Sequence, residues 1–153
     1  MDTIQLTTAC TEDSYIQPLF YGVIAIDQLP SKWPLIGMYI INQDVQTGPG
    51  IHWYALALGL EGPKHAAFID TFGREPPTSI TNSLTDQGFT IYYNDIQLQS
   101  FLTSQCGELS LLFLKLWARG YSSLEILKKF MTDQTESPFQ NEFFSKFFLN
   151  QTV

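Results

Sequence analysis

The chain has 153 residues, of which 44% are hydrophobic, and it carries a formal net charge of −7. A chain of this length fits one domain with a core of its own, so we expect residues 1–153 to form a single domain. The excess of acidic over basic residues argues against nucleic-acid binding, because lysine and arginine neutralise the phosphates in such complexes.

The cysteines and the N-terminus indicate the compartment in which the chain works. Cys10 and Cys106 are too few for a disulfide framework, and with His52 and His65 they lack the close paired spacing of a structural zinc site. The N-terminal residues lack the basic and apolar regions of a secretory signal, and no stretch reaches the roughly 18 apolar residues of a membrane span. We therefore expect an intracellular protein with reduced thiols, no metal and no membrane contact.

The first two-thirds of the sequence is typical of β-strands. Short apolar or β-branched runs alternate with turns that contain Pro, Gly, Asn or Asp. The predicted strands are Gly22–Ile26, Leu35–Ile41, Ile51–Leu58, His65–Phe72 and Phe89–Tyr93. Near-continuous apolar runs such as Tyr54–Leu58 indicate strands that are covered on both faces.

The last third of the sequence has the period of helices. Apolar residues at helical spacing between Leu109 and Trp117 predict one helix, which Gly120 ends. Ser122-Ser123-Leu124-Glu125 offers a capping box for a second helix. Ser137 and Pro138 are typical of the start of a third, Phe139–Leu149. The predicted fold class is α+β.

Cys106 is the candidate for chemistry because it lies just before the most strongly periodic helix. The positive end of the helix dipole favours a thiolate there, and Gly107 leaves room for a substrate backbone. A buried structural cysteine is the competing interpretation, and residue statistics alone favour it.

Three other residues complete a candidate constellation. His52 lies at the start of a predicted strand and Asp70 near the end of the next one, so a hairpin would place the carboxylate beside the imidazole. Trp53 can pack against the ring or shield the pair from water. Gln99, seven residues before Cys106, can donate to a developing oxyanion together with the cysteine N–H.

These residues also carry a resemblance. His52-Trp53, Phe68-Ile69-Asp70-Thr71-Phe72-Gly73 and Gln99 with Cys106-Gly107 resemble, in this order, the adenovirus maturation proteases (adenains) and the clan that includes the SUMO-specific proteases. The resemblance runs from about Phe20 to Arg119. It implies a papain-like or adenain-like fold, in which a central mixed β-sheet packs against helices and the nucleophile lies at a helix N-terminus.

The same resemblance assigns the roles. It implies that Cys106 is the nucleophile, His52 the general base, Asp70 the residue that orients His52, and Gln99 the oxyanion donor, with Trp53 and Gly107 beside them. It implies a viral maturation endopeptidase that cleaves precursor polypeptides at glycine-containing sites, in the host nucleus or cytoplasm or in the virion.

The sequence departs from adenain in three respects. The acidic member is Asp, as in the SUMO-specific enzymes, and this favours an alternative activity as an isopeptidase on ubiquitin-like conjugates. No cysteine stands near Gly88, where adenain bonds its activating peptide, and the net charge is acidic where adenain binds DNA. We therefore expect neither peptide nor DNA activation and no cofactor. A non-catalytic binding module of the same fold is a further alternative.

His65 and Cys10 also have alternative interpretations. His65 could replace His52 beside Asp70, but the odd spacing between His65 and Asp70 in one strand sends their side chains to opposite faces. Cys10 is interpreted as a structural thiol, with a bridge to a partner as the alternative.

Overall fold

A mixed six-stranded sheet organises the computed structural model, which describes residues 1–44, 52–98, 106–132 and 151–152. The strands lie side by side in sequence order, with β1 pairing parallel to β2 and β4 parallel to β5, while the other neighbours are antiparallel. They are β1 (Phe20–Ala25), β2 (Gly37–Asn42), β3 (Trp53–Leu58), β4 (His65–Asp70), β5 (Thr90–Tyr93) and β6 (Gln151–Thr152). The predicted α+β class with a mixed sheet is confirmed.

The five predicted strands all exist, with shifted ends. β2 starts at Gly37, because Leu35 and Ile36 lie outside the sheet and are exposed. β4 ends at Asp70, so Phe72 belongs to the turn that follows and not to the strand. His52 lies immediately before β3.

Among the described residues of the first two-thirds of the chain, two α-helices were not predicted from the sequence, which we interpreted there as strands. They are α1 (Thr3–Glu12) and α2 (Thr78–Asp86). A capping box between Asp2 and Gln5 starts α1, and only two of its residues are buried, so its apolar periodicity is weak. The isolated pair Ile80 and Leu84 gives α2 its single buried stripe.

The two helices predicted behind the sheet are present as α3 (Cys106–Ala118) and α4 (Ser123–Thr132). The predicted capping box is formed: Glu125 N–H donates to Ser122 Oγ, and Ser122 N–H donates to the Glu125 carboxylate, each at 3.2 Å. The predicted third helix, Phe139–Leu149, lies outside the described residues.

Apolar side chains cover the sheet on both faces. One face carries the small residues Ala55, Ala57 and Ala67, and α3 packs there with Phe113 and Trp117 in a cluster that includes Cys106. The other face carries larger side chains, among them Tyr54, Leu56 and Phe68, and α2 covers it. Small side chains under α3 let the helix approach the strands closely, which fixes the depth at which Cys106 lies.

The described part of the chain contains no helix that is both long enough and apolar enough to cross a membrane.

Candidate active site

The strands β3 and β4 bring His52 and Asp70 together at one end of the sheet. Tyr54 pairs with Asp70 across the antiparallel ladder, so His52, two residues before Tyr54, extends past the end of β4. His52 Nε2 lies 2.7 Å from Asp70 Oδ1, and the two side chains are 4% and 1% exposed. A buried contact this short is a charge-assisted hydrogen bond, which fixes both the ring and its tautomer.

Cys106 lies at the first turn of α3, on the other side of the same sheet end. Its side chain packs with Trp53, whereas Asp70 shares a face with Tyr54 on the opposite side. His52 stands beyond the strand, so it can reach both faces. Since Asp70 occupies Nε2, Nδ1 is the nitrogen left to interact with the Cys106 thiol; it is buried and has no partner at normal hydrogen-bond distance among the described residues.

The three titratable groups shift one another's pKa. Burial acts to raise the pKa of the Cys106 thiol, but the side-chain interaction with His52, backbone hydrogen bonds from Trp53 and Gly107 and the charge of His52 together lower it. Burial acts to lower the pKa of His52, but the hydrogen bond to Asp70, the side-chain interaction with Cys106 and the charges of both groups raise it. Both shifts favour a thiolate beside an imidazolium, the reactive pair of a nucleophilic cysteine.

Asp70 stays ionised although it is buried. Burial acts to raise the pKa of the carboxyl, but the hydrogen bonds from His52 and from the Phe72 N–H, followed by the charges of His52 and Arg74, lower it. The Phe72 N–H donates to Oδ1 at 2.9 Å, and Arg74 Nε donates to Oδ2 at 3.1 Å. Each charge-assisted hydrogen bond contributes about 1.5–3 kcal/mol, which offsets the cost of desolvating the carboxylate.

Asn94 fixes the backbone that carries this carboxylate. It follows β5, the parallel neighbour of β4, and it is fully buried. Its Oδ1 accepts from the Asp70 N–H at 3.1 Å, and its Nδ2 donates to the Asp70 carbonyl at 2.6 Å. The second of these bonds extends the pairing of β4 and β5 beyond the end of the ladder.

Comparison with known proteins gives a likeness among solved structures but no sequence match. The sequence matches no protein-family profile and no curated protein sequence. Among solved structures, the chain is similar to the crystal structure of the selenomethionine ASFV pS273R protease, with a TM-score of 0.42 and 20% sequence identity over 72% of this chain. The matched region covers 44% of that protease, so the chain spans less than half of its length.

Trp53 and Gly107 contact each other beside the thiol. A Cβ built on Gly107 would lie 3.4 Å from the Trp53 ring and 3.4 Å from Met1 Cβ, so the missing side chain accommodates the indole. The ring that stacks on His52 is Phe72, at 4.6 Å between centroids and 7° between planes. The sequence motif contained Phe72 but assigned it no role.

The remaining candidate residues are Gln99, His65 and Cys10. Gln99 lies outside the described residues. His65 begins β4 and Asp70 ends it, so five residues of strand separate them by about 16 Å. His65 stacks instead on Tyr92, at 4.4 Å between centroids. Cys10 is fully buried in the α3-side cluster, and burial raises the pKa of its thiol to about 12.

Sequence reasoning missed Arg74 and Asn94. Arg74 follows Asp70 by four residues, and Gly73 between them marks the turn that brings the two together. Asn94 follows a strand whose parallel pairing with β4 could not be read from the sequence. Among the described residues, no group of three His, Cys, Asp or Glu side chains is arranged to hold a metal ion.

Proposed function

We propose that this protein is a cysteine peptidase that cleaves polypeptides through a thioester on Cys106. One observation carries the proposal: the buried His52 ring is hydrogen-bonded to Asp70 at 2.7 Å and interacts with a Cys106 thiol whose pKa is lowered. A structural thiol needs no such neighbours, as Cys10 illustrates with its raised pKa. Cys106 stands instead at the start of a 13-residue helix, where the dipole favours an anion.

In the proposed reaction, His52 first donates a proton and later accepts one, so the site returns to its starting state. The Cys106 thiolate attacks the carbonyl carbon of the scissile peptide bond. As the C–N bond breaks, the His52 imidazolium donates its proton to the leaving amine, and a thioester remains on Cys106. A water then gives its proton to His52 and attacks the thioester, which releases the acid and restores the thiolate and imidazolium. Asp70 keeps the imidazole oriented throughout, and no cofactor enters these steps.

Gln99 is proposed as a donor to the oxyanion formed in both steps. The support is its place in the resemblance, seven residues before the nucleophile. A lost oxyanion donor costs roughly 10²–10³ in kcat.

The resemblance to adenain supplies the substrate class. We propose that the enzyme cleaves precursor polypeptides at glycine-containing sites during virion maturation, in the host nucleus or cytoplasm or in the virion. Asp70 in place of Glu favours a second candidate, an isopeptidase that acts on ubiquitin-like conjugates. A ubiquitin probe with a C-terminal vinyl electrophile separates the two: labelling of Cys106 favours the isopeptidase, while no labelling together with hydrolysis of glycine-containing peptides favours precursor processing.

Peptide hydrolysis tests the proposed function. We expect the purified chain to cleave a Gly-Gly or Leu-x-Gly-Gly peptide, and we expect Cys106→Ala to abolish this cleavage without unfolding the protein. Cys10→Ala is the matched control, since it removes the other thiol. We expect the folded Cys10→Ala protein to cleave the same sites at the wild-type rate. Hydrolysis that survives Cys106→Ala would overturn the proposal.

A further inference from the structure

Arg74 contacts the candidate site from the solvent side. Its Nε donates to Asp70 Oδ2 at 3.1 Å, and its guanidinium carbon lies 5.1 Å from the centre of the Phe72 ring. The side chain is 49% exposed, whereas Asp70 is 1% exposed. Arg74 is therefore an accessible residue that holds a buried carboxylate.

Phe72 lies between the imidazole and the guanidinium. It stacks nearly parallel to His52 on one contact and meets Arg74 on the other. Asp70 links the other ends of this row, because its Oδ1 contacts His52 Nε2 and its Oδ2 accepts a hydrogen bond from Arg74 Nε. Four side chains thus fix one another in a ring of contacts, in which His52 and Asp70 are buried, Phe72 is partly exposed and Arg74 is the most exposed.

We propose that Arg74 is a positioning residue for the Cys106–His52–Asp70 site: by binding Asp70 Oδ2 and covering Phe72, it keeps Oδ1 and the Phe72 ring aligned with the His52 imidazole. The inference rests on the proposed function, which it extends to a residue that touches no reacting atom. Arginine suits the task because its planar group can donate a hydrogen bond and lie over a ring at the same time.

The groups around His52 and Asp70 define what removal of Arg74 would change. His52 faces Asp70 and, from α3, Cys106; Asp70 also faces Arg74 and the Tyr54 hydroxyl of β3. Loss of the guanidinium charge alone would raise the pKa of His52, because a positive charge near the imidazolium disappears. Loss of alignment would lower it, because the bond to Asp70 weakens. The two effects change the pKa of His52 in opposite directions, so the sign of the change shows which effect is larger.

An NMR titration reads that direction. The chain has two histidines, so His65, which stacks on Tyr92 at the other end of β4, is an internal reference. We expect Arg74→Gln to lower the pKa of His52 and to leave that of His65 unchanged. The matched control is Arg119→Gln: Arg119 also binds a carboxylate, Asp13 at 3.0 Å, and covers a ring, Tyr15 at 4.5 Å, away from the site.

Iodoacetamide alkylation of Cys106 across pH is the second measurement, and it needs no substrate. At pH 7 we expect Arg74→Gln to react about three- to tenfold more slowly than the wild type, an effect the size of an ordinary hydrogen bond, because the lost bond acts on the thiol only through Asp70 and His52. Arg74→Lys keeps the charge and one donor but loses the flat contact, so it should recover part of the rate. Arg119→Gln should match the wild type.

The outcomes separate the two claims. A reactive wild-type thiol whose rate and pH profile do not change in Arg74→Gln would overturn the role of Arg74 alone, as would a raised pKa of His52. A wild-type Cys106 that reacts only above the ordinary thiol pKa of about 8.5 would overturn the proposed function and the role of Arg74 with it. A slower Arg74→Gln, partly rescued by Arg74→Lys, supports the inference.

Discussion

At the scale of single residues, the chemistry follows from the different surroundings of the two ring nitrogens of His52. Nε2 meets Asp70, so the neighbouring carboxylate stabilises the imidazolium, and Nδ1 is left for the thiol. Burial opposes every charged form in this cluster, and the neighbouring groups offset that cost, so that each pKa is shifted in favour of the charged form. The three groups therefore titrate as a unit and not one by one.

The pH dependence of hydrolysis follows from these shifts. As pH rises, the rate should increase while Cys106 ionises, over a range below the ordinary thiol pKa of about 8.5, because its pKa is lowered. The rate should fall again as the His52 imidazolium, the acid for the leaving amine, loses its proton above 6.5, because its pKa is raised. The profile of kcat/KM on a glycine-containing peptide should be a bell.

Return of each sample to neutral pH is the control for this profile, because it separates titration from unfolding. A single rising limb near the ordinary thiol pKa, with no fall at higher pH, would contradict the coupled pair.

At the scale of elements, the turn after β4 carries much of the site. It supplies the Phe72 N–H and the Arg74 side chain to Asp70, and it closes with the Gly73 N–H donating to the Asp70 carbonyl at 2.8 Å. Gly73 has a φ of +75°, which favours glycine, and a Cβ there would meet the backbone of Ile96 at 2.8 Å. The turn has its present form only because residue 73 lacks a side chain.

Gly73→Ala should therefore destabilise the protein more than an equivalent change elsewhere. Gly88→Ala is the matched control, since Gly88 has a φ of +88° and nothing within 4 Å of a built Cβ. We expect a loss of about 1 kcal/mol in the free energy of unfolding for Gly88→Ala from backbone strain alone. Gly73→Ala adds a backbone clash and should lose about 3 kcal/mol. Chemical denaturation measures both, and equal losses would contradict the role of the turn.

At the scale of the whole molecule, the sheet separates the proposed nucleophile, Cys106, from the carboxylate of Asp70. Cys106 lies on α3, which packs on the face lined by small residues, and Asp70 lies on the face covered by α2. His52 can join them because it lies past the end of β3, where no strand separates the two sides. The site depends on where the sheet ends, a property of the assembled fold and not of any one element.

This dependence explains which features the sequence could predict. Runs such as Trp53–Leu58 are apolar and bounded by turn residues, so their strands could be predicted within two residues or so. The hairpin of β3 and β4 followed from two adjacent strands, and it predicted the contact between His52 and Asp70. Asn94 could not be assigned, because its role depends on the parallel pairing of β4 and β5 across a helical connection.

Other features were not predicted because the local sequence around them carries no distinctive pattern. The first helix is rich in threonine and buries Leu6 and Cys10 alone, so packing on β1 and α3 stabilises it where propensity does not. Arg74 could not be assigned because a half-exposed arginine has no distinctive pattern, and its partner Asp70 had already been given to His52. The stacking of Phe72 on His52 depends on the exact end of β4, which is the least predictable part of a strand.

Covalent labelling tests the central claim, that His52 activates Cys106 for attack on a carbonyl. The purified chain is incubated at pH 7 with a short peptide whose C-terminal glycine carries a vinyl methyl ester, and the adduct is mapped by mass spectrometry. We predict one adduct, on Cys106, formed at least about 100-fold more slowly in His52→Ala and at the wild-type rate in His65→Ala. An adduct on Cys10, or equal rates in the wild type and His52→Ala, would contradict the account.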